Sequence, residues 1–465
     1  MPVRPASLVQ SLLSGGPVLA ALLGLCLLAA PLAAQDSPKR LSPPEARSFA
    51  LGLLHQGEPR AARAIALGLL RQDSRDYIAL MVLAEAERSL GRPAQAKFAA
   101  RRAWRSTTVE KERFAAAFAM SNVLKSEQKF GQAQLWLRRA STATNAPRFE
   151  EAARTEYRRV QAANPWSLSF NLSLAPTSNV NGGPNDNTYT IGDLVFVDPT
   201  AVPLSGVEVG TMLSVTRRLK PADWGRVSFG LRHDARRYLL SSAAKRAVPA
   251  ASGSDYAFTA LDAHIRVDFA SSKERARTSA EIGLSHVWQA GTRLATSQRL
   301  RLSRGFARKR LAFASYGFAI ENQTRHDSAP RSNTAYTLDG FALTALPNKS
   351  LLRYGASLSK VESASSDMAH TAASLSLAYL PAAPLLGAKT SLSGALQLRK
   401  YDRLRYGSTL RRDQKLSFAA NFTFEQIDYM GFSPSLTLNA TRNISNKTFF
   451  DTQEFGLSLG IKSTF

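Results

Sequence analysis

Asp262, His264, Arg266 and Asp268 stand at every second position of one short segment, and Leu261, Ala263, Ile265, Val267 and Phe269 fill the places between. Alternation of this kind gives an extended strand one charged and one apolar face. Arg226 and Arg232 fall on the polar face of the segment before it. Charges of both signs on one face interlock as a wall network, or they line a polar path for something that passes. For any single residue the interlocked wall is the plainer reading. An arginine facing lipid at mid-membrane costs about 2–4 kcal/mol. If the apolar face meets lipid, these charges must therefore line an interior.

Other chemistry is missing from the sequence. The six histidines (His55, His233, His264, His286, His326 and His370) are scattered, with no pair at metal-ligand spacing. There is no Gly-x-Ser-x-Gly elbow, phosphate loop or dinucleotide fingerprint. The expectation is a protein that is not an enzyme and uses no cofactor or metal. Asn179–Asn187 is rich in Asn, Gly and Pro without an EF-hand pattern, which predicts a structural turn rather than a calcium site.

The positioning elements change character along the chain. Residues 42–163 carry helical spacing and repeat: Gly57-Glu-Pro-Arg-Ala-Ala62 aligns with Gly91-Arg-Pro-Ala-Gln-Ala96, then with Gln128-Lys-Phe-Gly-Gln-Ala133. Ala103 and Ala140 follow the last two of those alanines by one further heptad. This predicts three helix pairs and a closing helix near Phe149–Ala163, a tetratricopeptide-like solenoid. Such solenoids present a concave partner-binding surface, although a ligand-free helical spacer fits the same pattern. Arg101, Arg102, Arg105, Arg138 and Arg139 are candidates for a basic cargo groove, or a solvated helix face.

At Asn164-Pro165-Trp166 the period switches to two, and fourteen candidate strands run from 166–174 to 453–465. Connections after even strands are short and those after odd strands longer, except near Ala290-Gly291-Thr292, where a truly tight loop or a slipped boundary is required. An even strand count with alternating loop lengths predicts a fourteen-stranded antiparallel transmembrane β-barrel over 165–465. A soluble β-sandwich would also alternate but does not need so many strands in one run. Trp166, Phe170, Leu459, Ile461 and the terminal Phe465 are the candidates for barrel closure and the insertion signal.

The first residues supply a compartment. Arg4, the apolar run Val18–Ala30 and Ala33-Ala34 predict a secretory signal peptide over 1–34. The only cysteine, Cys26, lies inside it, which leaves no disulfide or Cys-based metal site in the mature chain. No other segment is apolar for long enough to cross a membrane as a helix. The net charge of +25 runs through both halves. In an exported chain it suits lipopolysaccharide phosphates or acidic protein cargo, not nucleic acid.

A leader, a short tetratricopeptide-like domain and a fourteen-stranded barrel together resemble Slam, the surface lipoprotein assembly modulators of Gram-negative bacteria. The stretch Pro165-Trp166 through Ser178-Asn179-Val180-Asn181 resembles the start of that family's barrel. The resemblance implies an outer-membrane protein translocon with its helical domain in the periplasm. Its partners would be a surface lipoprotein or a secreted haem- or metal-acquisition protein, a periplasmic chaperone and the barrel-insertion machinery. Two rivals remain: an exopolysaccharide exporter, and a passive solute porin with a helical adaptor.

Overall fold

The computed structural model describes residues 40–191, 194–270, 276–308, 311–404, 409–427, 429 and 432–463. The leader and Phe465 lie outside the described residues.

Among the described residues seven helices come first: α1 (Pro43–His55), α2 (Pro59–Gln72), α3 (Tyr77–Ser89), α4 (Pro93–Ser106), α5 (Glu110–Ser126), α6 (Phe130–Ser141) and α7 (Pro147–Ala163). Proline opens α2, α4 and α7 at a position where its missing N–H costs nothing. Ala62, Ala96, Ala133, Ala103 and Ala140 are fully buried, since only a methyl fits where neighbouring helices cross so closely. Larger side chains, among them Leu80, Met120, Leu137 and Val160, fill the space between the crossings. Glu87 is buried beside Arg63, 2.6 Å away, and this ion pair ties α3 to α2.

Gly57 and Gly91 turn the chain between paired helices at φ 79° and 70°. The third repeat puts Gln128 there at φ 57°, a left-handed conformation that strains any side chain with a Cβ. Gln128→Gly is expected to raise the helical domain's thermal stability by about 1 kcal/mol. An unchanged or lower melting temperature would show that the third turn carries no strain.

Helices α1, α3, α5 and α7 pack side by side as an inner layer, and α2, α4 and α6 form an outer layer that packs mainly on its sequence neighbours. That arrangement places the cargo-groove candidates. Arg101, Arg102 and Arg105 sit on α4, and Arg138 and Arg139 on α6, so all five belong to the outer layer. Helical periodicity tells which face of a helix is wet, but not which layer the helix occupies.

The barrel strands are β1 (Trp166–Thr177), β4 (Gly206–Arg218), β5 (Gly225–Leu240), β6 (Phe258–Phe269), β7 (Ala276–Gln289), β8 (Thr292–Arg308) and β9 (Leu311–Arg325). They continue with β10 (Asn333–Ala345), β11 (Leu351–Ser363), β12 (His370–Leu380), β13 (Lys389–Tyr401), β14 (Arg412–Thr423), β15 (Phe432–Ser445) and β16 (Thr452–Ser463). Each pairs antiparallel with its neighbour, and β16 meets β1 to close the ring. A strand of twelve residues spans roughly 40 Å, enough to cross about 30 Å of hydrocarbon when tilted.

Exposed apolar side chains occupy alternate positions around the outside, for example Leu168, Phe170 and Leu172, Ile282 and Leu284, Leu300 and Leu302. A belt so wide is unfavourable against water and suits lipid. No described helix is long and apolar enough to cross a membrane.

The connection at Ala290-Gly291 is truly tight. Both residues have positive φ (50° and 80°), the requirement of a two-residue type I′ hairpin. The loop-length rule otherwise holds only loosely, because Pro381–Ala388, at the helical end, is as long as several far-end loops.

The first far-end loop is more ordered than a run of turns. It contains a hairpin, β2 (Thr188–Ile191) with β3 (Leu194–Val197). Asn179 is buried, donates to the Gly183 carbonyl at 2.8 Å and accepts from the Gly183 N–H at 2.7 Å. Leu204 of this loop packs with Leu240 and with Ala244 of α8 (Ser242–Ala247), forming a small apolar core over that rim.

Candidate functional site in the barrel lumen

The odd and even positions of the strands part into two walls. On β5, β6, β7 and β8 one face carries Arg232, Asp262, Glu281 and Arg299, and the other carries Leu231, Ile265, Ile282 and Leu300. Side chains on the charged face reach across an intervening strand, which a concave inner surface permits and a convex outer one does not. The charged face is the lumen.

Register sets the pairings. Arg226 stands opposite Asp268, and Arg232 opposite Asp262. Arg232 is held by Asp234 at 2.6 Å. Asp262 meets His264 Nδ1 at 3.0 Å and Arg299 at 3.3 Å. Arg266 bonds Asp268 at 3.0 Å and Ser279 at 2.8 Å, with Glu281 at 3.7 Å. Asp268 also takes Arg277 at 2.5 Å and Ser279 at 2.7 Å. One connected ladder therefore includes Asp262, His264, Arg266 and Asp268, and extends to Glu281, Arg299 and Arg277.

Further along, Arg301 grips Asp339 with two bonds of 2.8 Å. Glu281, Arg299, Arg301 and Asp339 escaped the sequence reading. Their signal was present in β8, where Arg299 and Arg301 alternate with Leu300 and Leu302.

Glycines make those long reaches possible. A Cβ on Gly283 would lie 3.1 Å from the Arg299 Nη2, and one on Gly317 would lie 2.8 Å from the Arg301 Nη2. Each arginine crosses the neighbouring strand through the notch its glycine leaves. Gly317→Val should push Arg301 off Asp339 and destabilise the barrel by about 1–3 kcal/mol. In planar bilayers the released guanidinium should also shift ion selectivity toward anions. Parental stability and selectivity would show that the notch is not needed.

The opposite wall, β12 to β16, presents small uncharged groups such as Ser374, Ser417, Asn421 and Thr437 beside the charged Arg399, Lys415 and Lys462. Where that wall meets β1 and β4 a polar cavity of about 270 Å³ opens, lined by Asn171, Ser173, Glu208, Asp234, Ser458 and Lys462 among others. Outside the same region lies an apolar depression of about 1120 Å³ bounded by Pro176, Leu375, Leu396, Phe418, Phe455 and Leu457.

The ring closes with sparse pairing. Among the described residues β1 and β16 are paired at Ser173–Gly460, Leu174–Leu459 and Thr177–Gly456. The other edge of β1 is paired with β4 from Trp166 to Thr177. Pro176 has no N–H to give to this seam. Trp166 and Phe170 are exposed on the apolar outer face, and Arg217 lies 5.1 Å over the Trp166 ring. Leu459 and Ile461 are exposed on that face too.

The helical domain is fastened to one rim. Arg138 is buried, not groove-lining: it lies 4.4 Å over the ring of Phe432 at the start of β15 and donates to the Tyr157 hydroxyl at 3.0 Å. Asn164 donates to Gln134 at 3.0 Å and accepts from the Trp166 N–H at 3.0 Å. Arg218 donates to the Asn164 carbonyl at 2.8 Å and to that of Gln161 at 3.2 Å.

At the far rim, Asp327 follows β9. The Arg325 guanidinium bonds it twice, at 2.8 and 2.6 Å, and with Arg331 nearby holds its carboxyl at about 2. A depressed carboxyl stabilises the folded loop above its unfolded value of about 4 and loses that contribution as pH falls toward about 2. Protection of the residue 326–332 amides, referred to their intrinsic exchange rates, should hold to about pH 4 and be lost between there and about pH 2. Asp327→Asn should remove that step; a step that survives the substitution would belong to another group.

No protein-family model matches the sequence, and no curated protein matches it. Solved structures are similar to each half. The helical part is similar to the Yersinia enterocolitica type III secretion translocator chaperone SycD (17% identity, 27% of this chain and 86% of that one, TM-score 0.24). SycD has also been solved in complex with a peptide of the translocator YopD (17% identity, 26% and 88%, TM-score 0.22). The barrel is similar to Acinetobacter baumannii OccAB3 (9% identity, 63% and 98%, TM-score 0.36). It is also similar to a loop-deletion mutant of the Vibrio cholerae outer-membrane protein OmpT (7%, 64% and 99%, TM-score 0.34). These scores are low, and the architecture stands on the chain's own strands and helices.

Proposed function

We propose that this chain is an outer-membrane translocon of the Slam kind, which moves a surface lipoprotein or a soluble secreted protein from the periplasm to the cell surface. Its helical domain lies on the periplasmic side and engages the cargo or a periplasmic chaperone. The observation that carries this reading is the fastening of a helical solenoid to the barrel rim through Arg138, Asn164 and Arg218. A pore for small solutes has no use for such a collar.

The inner layer, not the arginines of the outer one, is where cargo docks. Ile78 and Met81 of α3 and Ala115, Ala119 and Asn122 of α5 stay partly uncovered there, which suits an extended apolar segment. No covalent step and no cofactor enter the cycle. Direction comes from the cargo folding outside, which removes the species able to return.

Comparing surface-shaved proteins of cells with the gene, without it, and with residues 42–163 deleted tests the reading. Loss of one surface protein in both mutants, with its accumulation in the periplasm, is the expected result. An unchanged surface proteome with altered solute uptake or lost extracellular polysaccharide would overturn it.

A further inference from the structure

We propose that the outer-layer face of the helical domain rests on anionic phospholipid headgroups of the leaflet beside it. Arg101, Arg102, Arg105 and Arg139 meet the phosphates, while Phe98 and Leu135 press into the boundary between headgroups and acyl chains. This goes beyond the translocon reading and stands or falls without it.

The first observation is exposure. Phe98 on α4 and Leu135 on α6 are 64% and 53% exposed. They occupy the same place in successive repeats, each two residues after the buried Ala96 and Ala133. Neither is needed for packing between helices, yet both are large and apolar. Around them lie guanidinium groups. Arg102 lies 5.5 Å over the Phe98 ring, Arg139 lies 4.6 Å over Trp136, and Arg101 and Arg105 are exposed. Among the described residues no ion pair joins these four arginines to a carboxylate. An apolar side chain flanked by arginines is the composition of a helix face that lies in a membrane interface. Guanidinium groups match phosphate oxygens in pairs while their stems cover apolar surface.

The second observation is position. Arg138, next to Arg139, lies on the ring of Phe432. Phe432 shares the lipid-facing side of β15 with Pro434, Leu436 and Leu438, two, four and six residues along. Helix α6 thus reaches the outside of the barrel wall at its rim, where headgroups begin. Arg101 holds in α4 the place that Arg138 holds in α6, so the same helix face recurs one repeat further from the barrel. An acidic protein segment would satisfy the arginines alone. Phe98, Leu135 and the continuity with Phe432 favour lipid.

The test uses the full chain with Cys26→Ser and a spin label at Gln132→Cys, which lies on the same face. It is placed in nanodiscs of phosphatidylcholine, alone or with phosphatidylglycerol, and accessibility to oxygen and to a water-soluble nickel chelate is measured. Adding phosphatidylglycerol should lower nickel accessibility several-fold and raise that of oxygen. High salt should reverse the change, as should the combined Arg101→Gln, Arg102→Gln, Arg105→Gln and Arg139→Gln variant. Should that variant fail to fold, the salt reversal in the arginine-bearing protein decides. Equal accessibility in both discs would overturn the proposal. So would shielding that appears only with lipopolysaccharide, or only when soluble polyglutamate is added to neutral discs.

Discussion

Arg138→Ala should release the helical domain from the barrel while leaving both folded. The side chain is 8% exposed and is sandwiched between Phe432, 4.4 Å away, and Tyr157, 5.2 Å away, with a hydrogen bond to the Tyr157 hydroxyl. A desolvated cation–π contact is worth about 2 kcal/mol, and a hydrogen bond from a charged donor about 1.5–3 kcal/mol. The Tyr157 bond lies inside the helical domain, so docking loses only the Phe432 contact, and about 2 kcal/mol lowers the docking constant roughly thirtyfold. Asn164 and Arg218 still hold the linker, so the domain swings rather than departs. Limited proteolysis should cut near Pro165 in the variant and not in the parent. Tyr157→Phe is the control, because it loses the bond inside the helical domain but keeps the stacking on Phe432. Equal cleavage of Arg138→Ala and parent would mean that the rim contact carries no docking energy. Under the proposed function, cargo should also stop reaching the surface while the barrel still inserts.

The barrel was legible in the sequence because its two faces meet different media. Wherever a strand has lipid on one side and polar groups on the other, alternation must be clean, as in Leu416–Phe422 and Phe455–Ile461. The helical repeat was legible for a different reason. Ala62, Ala96 and Ala133 sit at crossings where nothing larger fits, so residue size alone marked the period.

What stayed hidden depends on register and layer. Arg301 finds Asp339 only because β9 lies between them and Gly317 clears the path. No spacing along the chain encodes that meeting. The hairpin of β2 and β3 was masked by the Asn- and Gly-rich stretch before it, although Thr188–Ile191 and Leu194–Val197 have strand composition. The outer-layer arginines were placed in a groove because periodicity describes one helix at a time. Only the packing of α1 on α3, and of α3 on α5, shows which helices line the inside.

Under the proposed function, a disulfide across the closing seam should both strengthen the barrel and stop transport. Leu174 and Leu459 are cross-strand partners on the outer face. Such pairs have Cα atoms about 4.5–5.5 Å apart, within reach of a disulfide. With Cys26 the only native cysteine, Leu174→Cys with Leu459→Cys would face no competing thiol once Cys26 is replaced. The cross-link closes a loop of several hundred residues, which chain entropy makes worth up to about 5 kcal/mol. The oxidised protein should therefore resist heat unfolding in detergent better than the reduced one. The seam is also where opening costs least. Its described pairs are three, Pro176 interrupts it, a polar cavity lies inside it and an apolar depression lies outside. A cargo with a polar body and an apolar attachment would meet matching surfaces on the two sides of that one joint. Surface display should fall to background in oxidised cells and return when a reductant is added. Undiminished display with the cross-link formed would mean that cargo leaves along the lumen axis with the ring closed. Heat resistance gained together with lost display would tie the least-paired joint of the wall to the path of the cargo.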